Sequence, residues 1–196
     1  MRAIRHWTSA ELAQFPPDDG KRYEIIDGEL SVHQPTVGHQ IVGFRVAAAL
    51  DRWNSANHPG EVVLAPGVIF DEHNDVAPDV IWISTARLAV GLDKAGHVQT
   101  TPELIVEVLS PGVSNGRRDR VAKLELYAQR GVGEYWIADW RQRQIQIYEH
   151  NGTRLEVIRT LTEDDVLTSP LLPDFQLSIR DLFANVPVGL EEGVGE

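Results

Sequence analysis

The sequence predicts an α/β domain of the α+β kind, in which a mixed central sheet is flanked by helices, with an N-terminal hairpin and a C-terminal β-meander. Three observations predict it. Residues 36–53 place apolar side chains at helical spacing with no proline among them. Residues 103–109, E-L-I-V-E-V-L, are almost continuously apolar, as in a central strand buried on both faces. Beyond residue 133, E-Y-W-I-A-D-W, R-Q-I-Q-I-Y-E-H and T-R-L-E-V-I-R-T read as a meander, with Asn151-Gly152 as a hairpin turn.

The elements follow in order. Thr8 and Glu11 have capping-box spacing, so a short helix starts at Thr8 and stops at Pro16-Pro17. R-Y-E-I-I-D-G-E-L-S-V is a hairpin turning at Asp27-Gly28, with Glu24 and Glu29 on either side. The first long helix spans Thr36 to Trp53, and its wide apolar surface implies burial against a sheet. After Asn57-His-Pro-Gly60 come E-V-V-L-A-P-G-V-I-F, a turn at Asn74-Asp75, and V-A-P-D-V-I-W-I-S as a strand. A gap rich in glycine and charge, around 91–96, precedes the strand at 103–109. Ser114 or Asn115 caps a helix from about Arg117 to Arg130, which Gly131 ends. Short apolar runs continue to Phe183, and the acidic tail from Val186 is loose. The organisation expected is one domain over 1–196, with a core at about 20–185.

Composition narrows the chemistry. With 42% hydrophobic and 24% charged residues, and no apolar stretch long enough to span a bilayer, no membrane association is expected. The N-terminus M-R-A-I-R-H-W-T lacks a secretory h-region, so the expected location is cytoplasmic. The absence of cysteine removes thiol nucleophiles and thiolate metal sites. Any metal then has oxygen and histidine ligands, which favours magnesium or manganese. A net charge of -11 argues against a broadly basic nucleic-acid coat. Residues 112–130 nevertheless hold five cations against two acids, a local strip suited to an anionic substrate.

Asp79 heads one apolar run and Glu107 lies inside another. Two carboxylates on neighbouring strands can hold one divalent cation beside a phosphate oxygen. Asp119, Lys123 and Tyr127 share a face of the following helix, so Lys123 can offset charge growing at phosphorus.

Pro78-Asp79, Glu107 in E-V-L-S-P, R-R-D-R-x-x-K-L-x-x-Y and G-V-x-E-Y-W together resemble the Uma-type family of restriction endonucleases, within the PD-(D/E)XK superfamily. The resemblance runs from Y-E-I-I-D-G-E-L at Tyr23, through the helix containing His39, to L-L-P-D-F and Leu182-Phe183. It implies a restriction-endonuclease-like core and a magnesium- or manganese-dependent phosphodiesterase acting on DNA. By position, Asp79, Glu107 and the backbone carbonyl of Val108 would bind the metal. Leu109 stands where the superfamily motif has lysine, and Lys123 would supply that ammonium from the helix. A homodimer is implied by analogy, one copy per strand. The alternative function is a weak or inactive nuclease fold acting as a binding or regulatory homodimer.

Each candidate also has a structural reading. Asp79 can be a strand-start acid, and Glu107 with Lys123 a structural ion pair. Glu24, His39 and Asp119 are candidate site neighbours; a hairpin glutamate is usually solvated, and a helical histidine usually packs. Arg118 and Arg120 are candidate phosphate contacts or a solvated helix start. Tyr127, Tyr135 and the tryptophans read as core.

Overall fold

The computed structural model describes residues 5–16, 20–57, 59–110, 116 and 118–187. Thr8 caps one turn of helix, α1 (Ser9–Leu12), and the Glu11 carboxylate accepts a hydrogen bond from the Thr8 amide at 3.0 Å. β1 (Arg22–Ile26) and β2 (Glu29–His33) form the antiparallel hairpin. Asp27 (φ 50°) and Gly28 (φ 76°) both take positive φ, which the tight turn matching strand twist requires. α2 (Val37–Asn57) continues a turn beyond Trp53, burying Val42, Val46 and Leu50 and leaving Phe44 outward.

β3 (Gly60–Leu64), β4 (Val68–Asp71), β5 (Asn74–Val76) and β6 (Val80–Ser84) follow, then a short helix α3 (Thr85–Gly91) and β7 (Leu104–Val108). A π-helical turn (Arg118–Ala122) leads into α4 (Lys123–Gln129). The meander comprises β8 (Glu134–Asp139), β9 (Gln144–His150) and β10 (Leu155–Leu161). A hairpin of β11 (Val166–Ser169) and β12 (Leu172–Ser178) and a last helix, α5 (Ile179–Phe183), complete the described chain.

The main sheet has the order β10-β9-β8-β7-β6-β3. β7 and β8 run parallel and every other neighbouring pair is antiparallel, so the sheet is mixed. Both central strands are buried along their whole length, which accounts for the continuous apolar run at β7. One face packs Val106 and Trp136 against α2 and α5. The other packs Ile105 and Ile137 against Tyr127 of α4 and against Val68 and Val76. Those two valines belong to a second sheet, ordered β2-β1-β5-β4.

Several boundaries differ from the sequence expectation. The turn lies at Glu72-His73 rather than at Asn74-Asp75, because the Asp71 carboxylate accepts from the His73 amide at 2.8 Å. Asn74 opens β5, and its buried Oδ1 accepts from the Asp27 amide at 3.0 Å, tying this turn to the β1–β2 turn. V-A-P-D-V-I-W-I-S is not one strand: β5 ends at Val76 in the second sheet, β6 begins at Val80 in the main sheet, and 77–79 cross between them. α3 falls where no helix is expected, started by Ser84, whose hydroxyl accepts from the Arg87 amide. The helix expected from about Arg117 to Arg130 opens, over Arg118–Ala122, as a π turn rather than a regular α-helix. The expected cap at Ser114 or Asn115, and the tail beyond residue 187, lie outside the described residues.

Candidate active site

The crossing at 77–79 places Asp79 at the head of β6, beside the end of β7. Its Oδ2 accepts from the Val108 amide at 2.7 Å and lies 3.0 Å from His39 Nε2. Arg22, from β1, donates to its Oδ1. The Leu109 amide donates to Ala138, so residues 107 and 109 direct their backbone groups to β8. Val108, between them, faces the other way, and its carbonyl lies on the Asp79 edge of β7 with its amide.

Glu107 projects from the face of β7 that meets α4. Lys123 donates to its Oε1 at 2.8 Å and the Tyr127 hydroxyl to the same oxygen at 2.9 Å. These donors come from successive turns of one helix face, as their spacing of four predicts. Lys123 Nζ is also 2.7 Å from Glu24 Oε1 and 3.9 Å from Asp119 Oδ1. Glu24, Asp79, Glu107, Asp119, His39 and Lys123 are all buried, with Glu24 and Lys123 fully inaccessible.

The charges explain the titration. Four buried carboxyls face three permanent cations, Arg22, Arg118 and Lys123. Burial alone would raise Asp79, but His39, Arg22 and the Val108 amide outweigh it and hold the carboxyl well below the usual range. Burial acts to raise Glu24 too, and chiefly Lys123 and Arg118 overcome it, leaving it lowered. Glu107 is the least compensated: burial and the carboxylates of Asp79, Asp119 and Glu24 outweigh Lys123 and push it up to about 8. Asp119 is raised chiefly by burial. Burial would lower Lys123, but Glu107, Glu24 and Asp119 raise it above its ordinary value, so it stays charged.

The other candidates fall in different places. Arg118 is mostly enclosed, 2.9 Å from Asp119 Oδ1 and 3.8 Å from Glu24 Oε2. Arg120 points elsewhere, to Asp139 at 3.2 Å and Gln146 at 3.3 Å, so its partner is a carboxylate of β8. Arg22, His33 and Tyr127 are part of this cluster, yet sequence reasoning did not single out Arg22 or His33 and read Tyr127 as core. The period-four spacing from Lys123 was the available signal for Tyr127; little in the local sequence marks the other two. Two surface grooves run along the outward side of α2, against β3 and β12, and neither is lined by Glu24, Asp79, Glu107 or Asp119.

The donor set is all oxygen, the chemistry that suits a hard dication. Among the described residues no three His, Asp or Glu side chains are gathered closely enough to hold an ion as they stand. Lys123 and Arg22 instead occupy the carboxylates. In kind the residues fit magnesium or manganese; binding would require the ion to compete with those two cations.

With this geometry in hand, the family model Uma2, described as "Putative restriction endonuclease", matches residues 9–180. The chain belongs to this family. No curated protein matches it. Among solved structures, the chain is similar to the crystal structure of "a putative nuclease belonging to DUF820" from Anabaena variabilis ATCC 29413, with TM-score 0.72 and 19% identity over 90% of this chain and 97% of that one. That similarity shows a shared fold. The type IIG restriction endonuclease BpuSI is a looser match, with TM-score 0.41 and 16% identity over 76% of this chain and 16% of that one. Among the described residues no helix is long and apolar enough to cross a membrane.

Proposed function

We propose that this Uma2 chain is a magnesium- or manganese-dependent endonuclease that hydrolyses phosphodiester bonds in DNA. The observation that carries the reading is the placement of Lys123 Nζ 2.8 Å from Glu107, on the strand next to the one headed by Asp79. Asp79, Glu107 and the Val108 carbonyl would hold the ion. When bound, the ion polarises a phosphoryl oxygen and lowers the pKa of water.

The chain's own residues supply the rest. His39 and the Val108 amide fix the Asp79 carboxylate from two directions. Tyr127, kept protonated by burial, donates to Glu107 and fixes its rotamer. Lys123 stays charged, so its role is to stabilise charge on the phosphoryl oxygens rather than to accept a proton. Duplex cleavage by a homodimer, one site per strand, is part of the proposal.

Calorimetric titration with manganese tests the metal site. The wild-type chain is expected to bind it, and Asp79→Ala to lose that binding while keeping its thermal transition. Equal binding by both proteins would remove Asp79 from the site. A second reading, a nuclease fold that binds without efficient hydrolysis, is favoured by Leu109 at the usual lysine position and by the pairing of Asp79 with Arg22. Metal binding without cleavage would support it.

A further inference from the structure

Glu24 is a buried carboxylate on the middle of β1, far in sequence from the acids of the site, and its two oxygens have different surroundings. Oε1 accepts from the Ala77 amide at 2.9 Å and lies 2.7 Å from Lys123 Nζ. Oε2 is buried with no hydrogen-bond partner, and Arg118 Nε and His33 Nδ1 stand 3.8 Å away. A carboxylate placed so deeply weakens a fold unless the cations around it offset the lost hydration.

We infer that Glu24 is a positioning residue of this site, its Oε1 holding the Lys123 ammonium against Glu107 and, through the Ala77 amide, fixing the crossing that presents Asp79. The inference rests on the nuclease reading above. Its physical basis is the location of the lysine. An ammonium at position 109 would rise directly from the end of the central strand β7; here that position is Leu109, and the ammonium arrives from a helix on a flexible four-carbon stem. One acceptor on Glu107 holds the ammonium from one side only. A second acceptor on a different element fixes the ammonium between two strands of different sheets. The Ala77 contact gives the same oxygen a second task. Residues 77–79 leave one sheet for the other with no ladder of their own, and the Ala77 amide is anchored two residues before Asp79. Glu24 therefore ties the lysine and the aspartate to one point without touching a substrate.

The test compares the full wild-type chain with Glu24→Ala and with the isosteric Glu24→Gln. Lysine acylation by an amine-reactive ester is followed by peptide mass spectrometry, with the exposed Lys94 as internal reference. Manganese-dependent cleavage of duplex DNA is measured alongside. Wild-type Lys123 is expected to be protected. Loss of one charge-assisted contact in Glu24→Ala should accelerate its acylation about tenfold or more, with Lys94 unchanged. The kcat should fall about tenfold or more while KM moves less than about twofold, because binding surfaces are untouched. Glu24→Gln, which keeps an oxygen for the Ala77 amide, should lie between wild type and Glu24→Ala in both readouts. Unchanged Lys123 acylation in either folded variant overturns the inference, and so does an unchanged kcat. If wild type cleaves nothing while Lys123 acylation responds as expected, the nuclease reading fails and the hold of Glu24 on Lys123 stands.

Discussion

His33 shows how strongly this interior sets the state of one side chain. Its ring is nearly enclosed, 3.8 Å from Glu24 and 3.2 Å from Arg118, and burial lowers its pKa from 6.5 to about 4, with Arg118 and Lys123 adding to the effect against Glu24 and Asp79. The unfolded chain therefore binds a proton near pH 6.5 that the folded chain refuses until about pH 4. Between those values the unfolded state holds more protons, so stability falls as pH is lowered through the window and is level above it. The full shift corresponds to roughly 3 kcal/mol as an upper figure. Urea denaturation at about pH 7 and about pH 4.5 should show this loss in wild type and a smaller one in His33→Gln; equal losses would contradict it. Residue by residue, the sequence was legible where an acid interrupted an apolar run. Glu107 and Lys123 do meet, at 2.8 Å, a contact that the structural and the catalytic reading share. Glu24 was illegible as a buried group, since a hairpin glutamate looks solvated until a second sheet and a helix close over it. Arg22 and His33 carry little local signal, because Asp79 and Arg118 lie 57 and 85 residues away from them and only the approach of His33 to Glu24 is internal to the hairpin.

At the scale of elements, the close approach of β3 to β6 governs the edge of the main sheet. Gly60 pairs with Ser84, and a Cβ at Gly60 would sit 2.2 Å from the Ile83 carbonyl oxygen, a backbone atom that cannot rotate away. Gly60→Ala should cost about 1–3 kcal/mol through forced separation of the two strands. A urea midpoint equal to wild type would show that the edge yields freely. The buried strands β7 and β8, the N-terminal hairpin and the meander were readable because period and turn residues agree with their final burial. The break between β5 and β6 was not. A run of apolar residues through Pro78 gives no sign that the chain changes sheets, because that depends on pairing with strands distant in sequence. The π turn was equally hidden: Asp119, Lys123 and Tyr127 have ordinary helical spacing, and the wider turn reflects how the segment meets Tyr135, whose hydroxyl donates to the Asp119 carbonyl at 3.0 Å.

Across the whole molecule, one sheet separates two apolar cores, and the candidate site lies on the side where the second sheet and α4 pack. That arrangement gathers residues from β1, α2, β7, the π turn and α4 around Asp79 and Glu107. A fold of this kind was expected, and family and structural similarity establish it. What the fold is used for is settled most directly by incubating supercoiled plasmid with manganese and either wild type or Glu107→Ala of equal thermal stability. Wild type is predicted to nick and linearise the plasmid only when the ion is present, and Glu107→Ala to leave it intact. Undiminished cleavage by Glu107→Ala, or cleavage by wild type without a divalent ion, would contradict the account.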